Sequence, residues 1–169
     1  VQVIAVSDTD TFISEIVTST TEVLASMCSL KAVVKNVEEL DHVSGSLDIT
    51  SCLDITGMVG FSGSKELLGS ILMTFRLDVA LAIVVGMLGC TRDEAKYDVI
   101  DGIAEIVNMV TGDAKTKLQK QGIDLRRSIP NIVTGIGVQI TAPASTSRRR
   151  IDFESDSGPL FVEIAFKEE

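Results

Sequence analysis

The sequence predicts a mixed α/β (α+β) fold, a two-layer sandwich in which long helices pack on an antiparallel sheet. Two stretches, 11–27 and 91–121, carry apolar residues three and four apart. Between and after them come short runs rich in Val, Ile and Thr, broken by Gly and Asp. The order is helix, strands, helices, strands, which suits helices gathered on one face of an antiparallel sheet. A length of 169 residues with 45% hydrophobic content fits one domain, 1–169, around an ordinary core.

Each element has its own signal. In 11–27 the stripe is Phe12, Ile13, Ile16, Val17, Val23 and Leu24, with Asp8 or Asp10 available as N-cap. Strands are expected at 30–36 and 47–61. Gly60, Gly63 and Ser64, followed by the apolar run 68–75, suggest a hairpin. A wholly apolar helix follows at 78–88, closed by Gly89, whose freedom at positive φ suits a helix end. Thr91 with Glu94 three residues later forms a capping box that opens the next helix. Its first turns hold Asp93, Glu94, Asp98 and Asp101, and its last Lys115, Lys117 and Lys120 before Gly122, so each end suits the macrodipole. Strands at 132–141 and 160–166 complete the chain, joined by a polar, Arg-rich connection at 142–150. The element order alone suggests a diverged internal duplication; no residue-by-residue repeat accompanies it.

Several function classes are disfavoured. A formal charge of −9, with Arg148, Arg149 and Arg150 as the longest basic run, leaves no electrostatic footprint for nucleic acid or an anionic membrane. The apolar run 79–90 is too short for the ~20 residues a bilayer requires, and reads as a buried helix. No basic flank leads into an apolar N-terminal run, so no signal peptide is expected. Cys28, Cys52 and Cys90 are odd in number and irregularly spaced, which points to reduced thiols and a cytoplasmic setting. His42, beside Asp41, is the one histidine and reads as a solvated loop residue, so neither a multi-histidine metal site nor a triad is expected. Gly135 and Gly137 lack the helix start of a phosphate loop and read as a turn or bulge. Asp101 and Glu105, one turn apart, are spaced for acid and base work on sugars, but 4% aromatic residues and no Trp argue against a sugar-stacking cleft.

The helix 91–121 is the informative element. Val99, Ile103, Ile106, Val107, Val110, Ala114 and Leu118 form its buried stripe. On the other side Asp98, Asp101, Glu105, Asn108, Gly112 and Lys115 form a polar line, which places Glu105 and Asn108 side by side. Periodicity alone favours a plain solvated face. Two residues strain that reading, because Asn competes with the helix backbone and Gly112 costs ~1 kcal/mol relative to Ala. A glycine there would let another protein's backbone approach closely.

The stretch 101–115, DGIAEIVNMVTGDAK, with Pro130 further on, resembles the signature of the CheX/CheC/FliY chemotaxis phosphatases. VGFSG at 59–63, GSILMTF at 69–75, MLG at 87–89 and SIPNIVTG at 128–135 also look like CheX. The resemblance covers roughly 11–140. It implies a CheC/CheX-like sandwich that presents the motif helix to a phosphorylated CheY-like response regulator, with no cofactor on this chain and Mg²⁺ in the regulator. Asn108 would orient the attacking water and Glu105 would pair with the regulator's lysine, while Asp101, Gly112 and Lys115 would help bind the partner. Some family members carry a second Glu and Asn pair on the first helix. Here the counterparts are Glu15 with Thr18, or Glu22 with Ala25, neither of which supplies the amide, so a single site is expected. The resemblance also implies a homodimer. Two other readings stand beside it: a regulator-binding adaptor or flagellar-switch module of the same fold without hydrolysis, and an unrelated small-molecule-binding domain.

Overall fold

The computed structural model describes residues 7–40, 54–63, 67–135 and 146–167. Helix α1 (Asp8–Cys28) leads into strands β1 (Ala32–Leu40), β2 (Asp54–Gly63) and β3 (Leu68–Arg76). Helices α2 (Leu77–Leu88) and α3 (Arg92–Lys120) follow, and then β4 (Leu125–Arg127), β5 (Asn131–Gly135), β6 (Thr146–Ser155) and β7 (Gly158–Lys167). The seven strands form one sheet in the order β1-β6-β7-β3-β2-β4, and β5 also pairs with β2. Every pairing is antiparallel. The helix-on-sheet sandwich expected from the sequence is therefore the fold.

The helix boundaries follow from their caps. Ser7, rather than Asp8 or Asp10, caps α1, its Oγ accepting from the Asp10 amide at 3.0 Å. Asp8 and Asp10 instead sit in the first turn, where their charge suits the macrodipole. Gly89 closes α2 in the left-handed region at φ 64°, and the Thr91–Glu94 capping box opens α3 two residues later. This abrupt exchange of one helix for the next lets α2 and α3 pack as neighbours.

One face of the sheet meets the helices. Ile55, Val59, Phe61, Ile71, Met73, Phe75, Val162, Ile164 and Phe166 join Phe12, Ile16 and Leu24 of α1 and Ile103, Ile106, Val107, Val110, Ala114 and Leu118 of α3 in one buried cluster. Phe12, Phe61 and Phe166 stack at centroid distances of 4.7–5.8 Å and tie α1 to the sheet. Val99, expected in the buried stripe, lies at its partly exposed start.

The sequence reading differs from the fold in the last third. The stretch 146–150, expected within a polar connection, is the first half of β6, and β4 was not foreseen. Arg148, Arg149 and Arg150 hide the strand because their guanidinium groups find partners only in three dimensions. Arg148 is buried against Glu163 of β7 at 2.5 Å, and Arg149 pairs with Glu39 of β1 at 2.8 Å. Arg150 pairs with Asp152 and lies 4.1 Å over the Phe161 ring. Since β6 runs between β1 and β7, these contacts join three strands. The expected strand residues 47–53 and 136–141, the connection residues 142–145, and Cys52 and His42, lie outside the described residues.

The approach of α3 to the sheet depends on a glycine. A Cβ at Gly57 of β2 would lie 2.5 Å from a Val107 methyl, so only a residue without a side chain admits the helix at this distance. Val107 immediately precedes Asn108. Gly57→Ala is therefore expected to destabilise the fold by ~1–3 kcal/mol through overpacking, and adding Val107→Ala should recover part of that loss. Urea unfolding of both variants checks this, and an unchanged midpoint for Gly57→Ala would mean α3 is not seated as described.

Candidate functional site

The polar line read from the sequence lies on the outer side of α3. Asp101 and Glu105 are exposed; Asn108, Gly112 and Lys115 are half-buried. The change along the line reflects what lies alongside. Past its middle α3 runs beside β4, and Arg127 at the end of that strand reaches across its polar side.

The turn after β4 has a physical cause. Strand β2 pairs with β4 through residues 61–63 and with β5 through residues 54–58, so both short strands lie along the same edge. Between them stand Ser128, Ile129 and Pro130. Proline has no amide to donate to a ladder, so pairing breaks there. Ser128 pins the break, its amide donating to the Gly60 carbonyl at 2.9 Å while its Oγ accepts from the Gly60 amide at 3.0 Å. Ile129 is pushed outward and is 81% exposed.

Arg127, just before the break, reaches α3. Its Nη1 donates to Asn108 Oδ1 at 2.7 Å. A Cβ at Gly112 would lie 3.1 Å from Arg127 Nη2, so the guanidinium crosses the helix where Gly112 leaves room. The sequence reading took that glycine as space for a partner's backbone; part of the space is filled from within the chain. Arg127 was missed because a pair of arginines, Arg126 and Arg127, attracts no attention until β4 places it. Its one sequence signal was position, three residues before Pro130.

Asn108, Lys115, Arg126, Arg127, Ser128 and Ile129 line an open groove of about 430 Å³. Two opposite electrostatic fields meet at Asn108. On one side are the carboxylates of Asp98, Asp101 and Glu105, and on the other the cations of Lys115, Arg126 and Arg127. Exposed Tyr97 and Ile100 lie on the same helix, and exposed Ile129 is itself part of the groove lining. Charges of both signs interleaved with exposed apolar groups suit a protein partner.

The first helix offers no second constellation of this kind. Gln121 Nε2 donates to Glu15, and Thr18 Oγ1 donates back to the Ser14 carbonyl at 2.9 Å. Glu22 is held by Lys117 at 2.5 Å, and Lys117 also pairs with Asp113 at 2.7 Å. These residues clamp α1 to α3. Burial pushes the thiol of Cys28 up to about 11, so it is a poor nucleophile at neutral pH. Among the described residues no three His, Cys, Asp or Glu side chains gather as metal ligands, and no helix is long and apolar enough to cross a membrane.

The architecture is an antiparallel sheet backed by helices, with Glu105 and Asn108 on the outer side of α3 beside a groove lined by Lys115, Arg126 and Arg127. The family model for the chemotaxis phosphatase CheX matches residues 55–154. The chain belongs to the CheX family of chemotaxis phosphatases. It is 31% identical to the chemotaxis protein CheX of Vibrio vulnificus, over 92% of this chain and 99% of that one, with a TM-score of 0.77. The chemotaxis protein CheX of Desulfovibrio desulfuricans is 26% identical over 92% and 99% of the two chains, with a TM-score of 0.76. The same fold occurs in the CheX–CheY–BeF3–Mg²⁺ complex of Borrelia burgdorferi, at 21% identity over 93% and 98% of the chains and a TM-score of 0.66. No curated protein matches the chain in sequence.

The Lys117 clamp gives a pH-dependent prediction. Burial pushes Asp113 up, but the Lys117 ammonium 2.7 Å away, the neighbouring Ser19 hydroxyl and the Lys120 charge outweigh it and hold the carboxyl low. Burial pushes Lys117 down, but Asp113 and Glu22 outweigh it and hold the ammonium high. A lowered carboxyl stabilises the fold above its ordinary value of 3.8 and loses that contribution as pH falls through the lowered value. A raised ammonium stabilises it below its ordinary value of 10.5 and loses that contribution as pH rises through the raised value. Lys117→Met should therefore cost ~1 kcal/mol, a modest figure because the cluster is partly solvated, between those two limits and progressively less outside them. Urea unfolding of both proteins across pH measures the difference, and a gap independent of pH would exclude the ionic origin.

Proposed function

We propose that this chain hydrolyses the aspartyl phosphate of a CheY-like response regulator, with Asn108 as the catalytic residue and Glu105 as the docking residue. The observation that carries this reading is the placement of Asn108: a carboxamide at the rim of an open groove, on a helix anchored by wholly buried Ile106, Val107 and Val110. An amide both donates and accepts, so it can hold a water in line with phosphorus while contacting a phosphoryl oxygen. Water then attacks phosphorus, the bond from phosphorus to the aspartyl oxygen breaks, and the pair returns to the regulator's carboxylate as phosphate and a proton leave. Mg²⁺ is expected on the regulator, where it neutralises phosphoryl charge. The residues of this chain have only to position, which can remove several kcal/mol of barrier.

Glu105, exposed one turn before Asn108, is placed to receive a lysine of the partner. Asp101 extends the acidic side of the docking face, and Lys115 extends its basic side. In this reading the chain is one domain acting in the cytoplasm, in keeping with the free thiols of Cys28 and Cys90. A homodimer fits strand β1, which ends the strand order and exposes Val33, Val34 and Val37.

Mixing the protein with a phosphorylated CheY-like receiver and Mg²⁺ should release phosphate faster than the receiver does alone; binding without acceleration would favour the adaptor reading. Asn108→Ala should lower turnover roughly a hundredfold, ~3 kcal/mol of barrier, with binding little changed. Glu105→Ala should weaken binding, reduce its salt dependence and lower turnover as well. Glu15→Ala should stay within about twofold of the parent, ~0.5 kcal/mol or less, because Glu15 is engaged with Gln121 and has no amide one turn on. If Asn108→Ala folds by circular dichroism and turns over at the parent rate, the catalytic assignment is withdrawn.

A further inference from the structure

We infer that Arg127, whose guanidinium lies over Gly112, is a positioning residue that sets which way the Asn108 carboxamide faces. The inference rests on the phosphatase reading above and adds a residue to it. A carboxamide on a half-buried helix face has two orientations related by a half-turn about its last torsion, one presenting oxygen to the groove and the other presenting the amide nitrogen. Only one of them puts donors where an anionic oxygen would lie.

Arginine removes the ambiguity because a guanidinium carries donors alone. The atom of Asn108 that meets Arg127 Nη1 at 2.7 Å must therefore be the oxygen. The NH₂ group is then turned away from Arg127, and the second lone pair of Oδ1 is left over to accept from a water. Without the arginine the two orientations would interconvert, and part of the population would present an acceptor to the phosphoryl oxygens.

The arginine is itself held in place. Its backbone pairs in register with Phe61 of β2, and the next residue, Ser128, is locked to Gly60 by two hydrogen bonds. Its guanidinium passes over Gly112, where a Cβ would stand 3.1 Å from Nη2. Strand, turn and glycine thus converge on one side-chain oxygen.

The test compares Arg127→Ala, Arg127→Lys and Arg127→Gln with the parent in phosphate release and in receiver binding. Arg127→Ala should lower kcat about tenfold with KM changed less than threefold. Arg127→Lys, which keeps a donor and the charge, should recover more than half of that loss on a logarithmic scale. In an Asn108→Ala background, Arg127→Ala should change kcat less than twofold, because its effect passes through the missing amide. A full tenfold loss in that background would overturn the inference, as would an Arg127→Ala variant with parental kcat. The readout that needs no activity is ¹⁵N relaxation of the Asn108 side-chain NH₂, whose order should fall in Arg127→Ala and be largely kept in Arg127→Lys. If the parent binds receiver but releases no phosphate, the phosphatase reading fails by itself and the relaxation result decides the role of Arg127. Should Arg127→Ala unfold, Arg127→Gln with the same relaxation readout takes its place.

Discussion

A helix can offer a side chain to another protein only as accurately as the helix is held, and α3 is held by its approach to β2. Val107 fills the space that Gly57 leaves open, and Ile103, Ile106, Val110, Ala114 and Leu118 continue the contact in both directions. Burial of these side chains is ordinary hydrophobic stabilisation. What is particular is the register, because a bulkier residue at 57 would move the helix and with it Asn108, the next residue along. The charged and polar residues on the outer side are thereby set by a contact on the inner side.

Polar contacts complete what the apolar stripe begins. Lys117 joins Asp113 on its own helix to Glu22 on α1, so the two long helices are tied on the side away from the groove. On the groove side the chain must pass from β4 to β5 without leaving the edge of β2, and Pro130 makes that passage a break rather than a continuous strand. The break brings Arg127 onto α3 and turns Ile129 outward. One backbone device therefore both holds Asn108 and shapes the surface beside it.

A net charge of −9 would by itself repel an acidic partner. The groove separates locally from that average, with Lys115, Arg126 and Arg127 on one side of Asn108 and carboxylates on the other. Arg148 to Arg150, the longest basic run in the chain, contribute nothing to this face, since Glu163, Glu39 and Asp152 engage them within the sheet.

Helices were legible in the sequence because their signals are local: the Thr91–Glu94 cap, the terminal charges and the stripe of α3 lie within one segment and need no partner to be recognised. The same holds for Glu105 and Asn108, which helical spacing alone places together. Strands β4 and β6 were not legible, because a three-residue strand has no period to read and three arginines do not look like a buried strand until Glu39, Asp152 and Glu163 are beside them. The choice of Ser7 over Asp8 and Asp10 as cap likewise required knowing where the backbone first turns helical. The sequence by itself thus determined the α+β class, the extent of α3 and the placement of Glu105 and Asn108 side by side on its polar face. Only the tertiary structure decided that Arg127 grips Asn108 and that Gly112 receives the guanidinium, since these residues meet through the pairing of β4 with β2, a long-range register that no local pattern encodes.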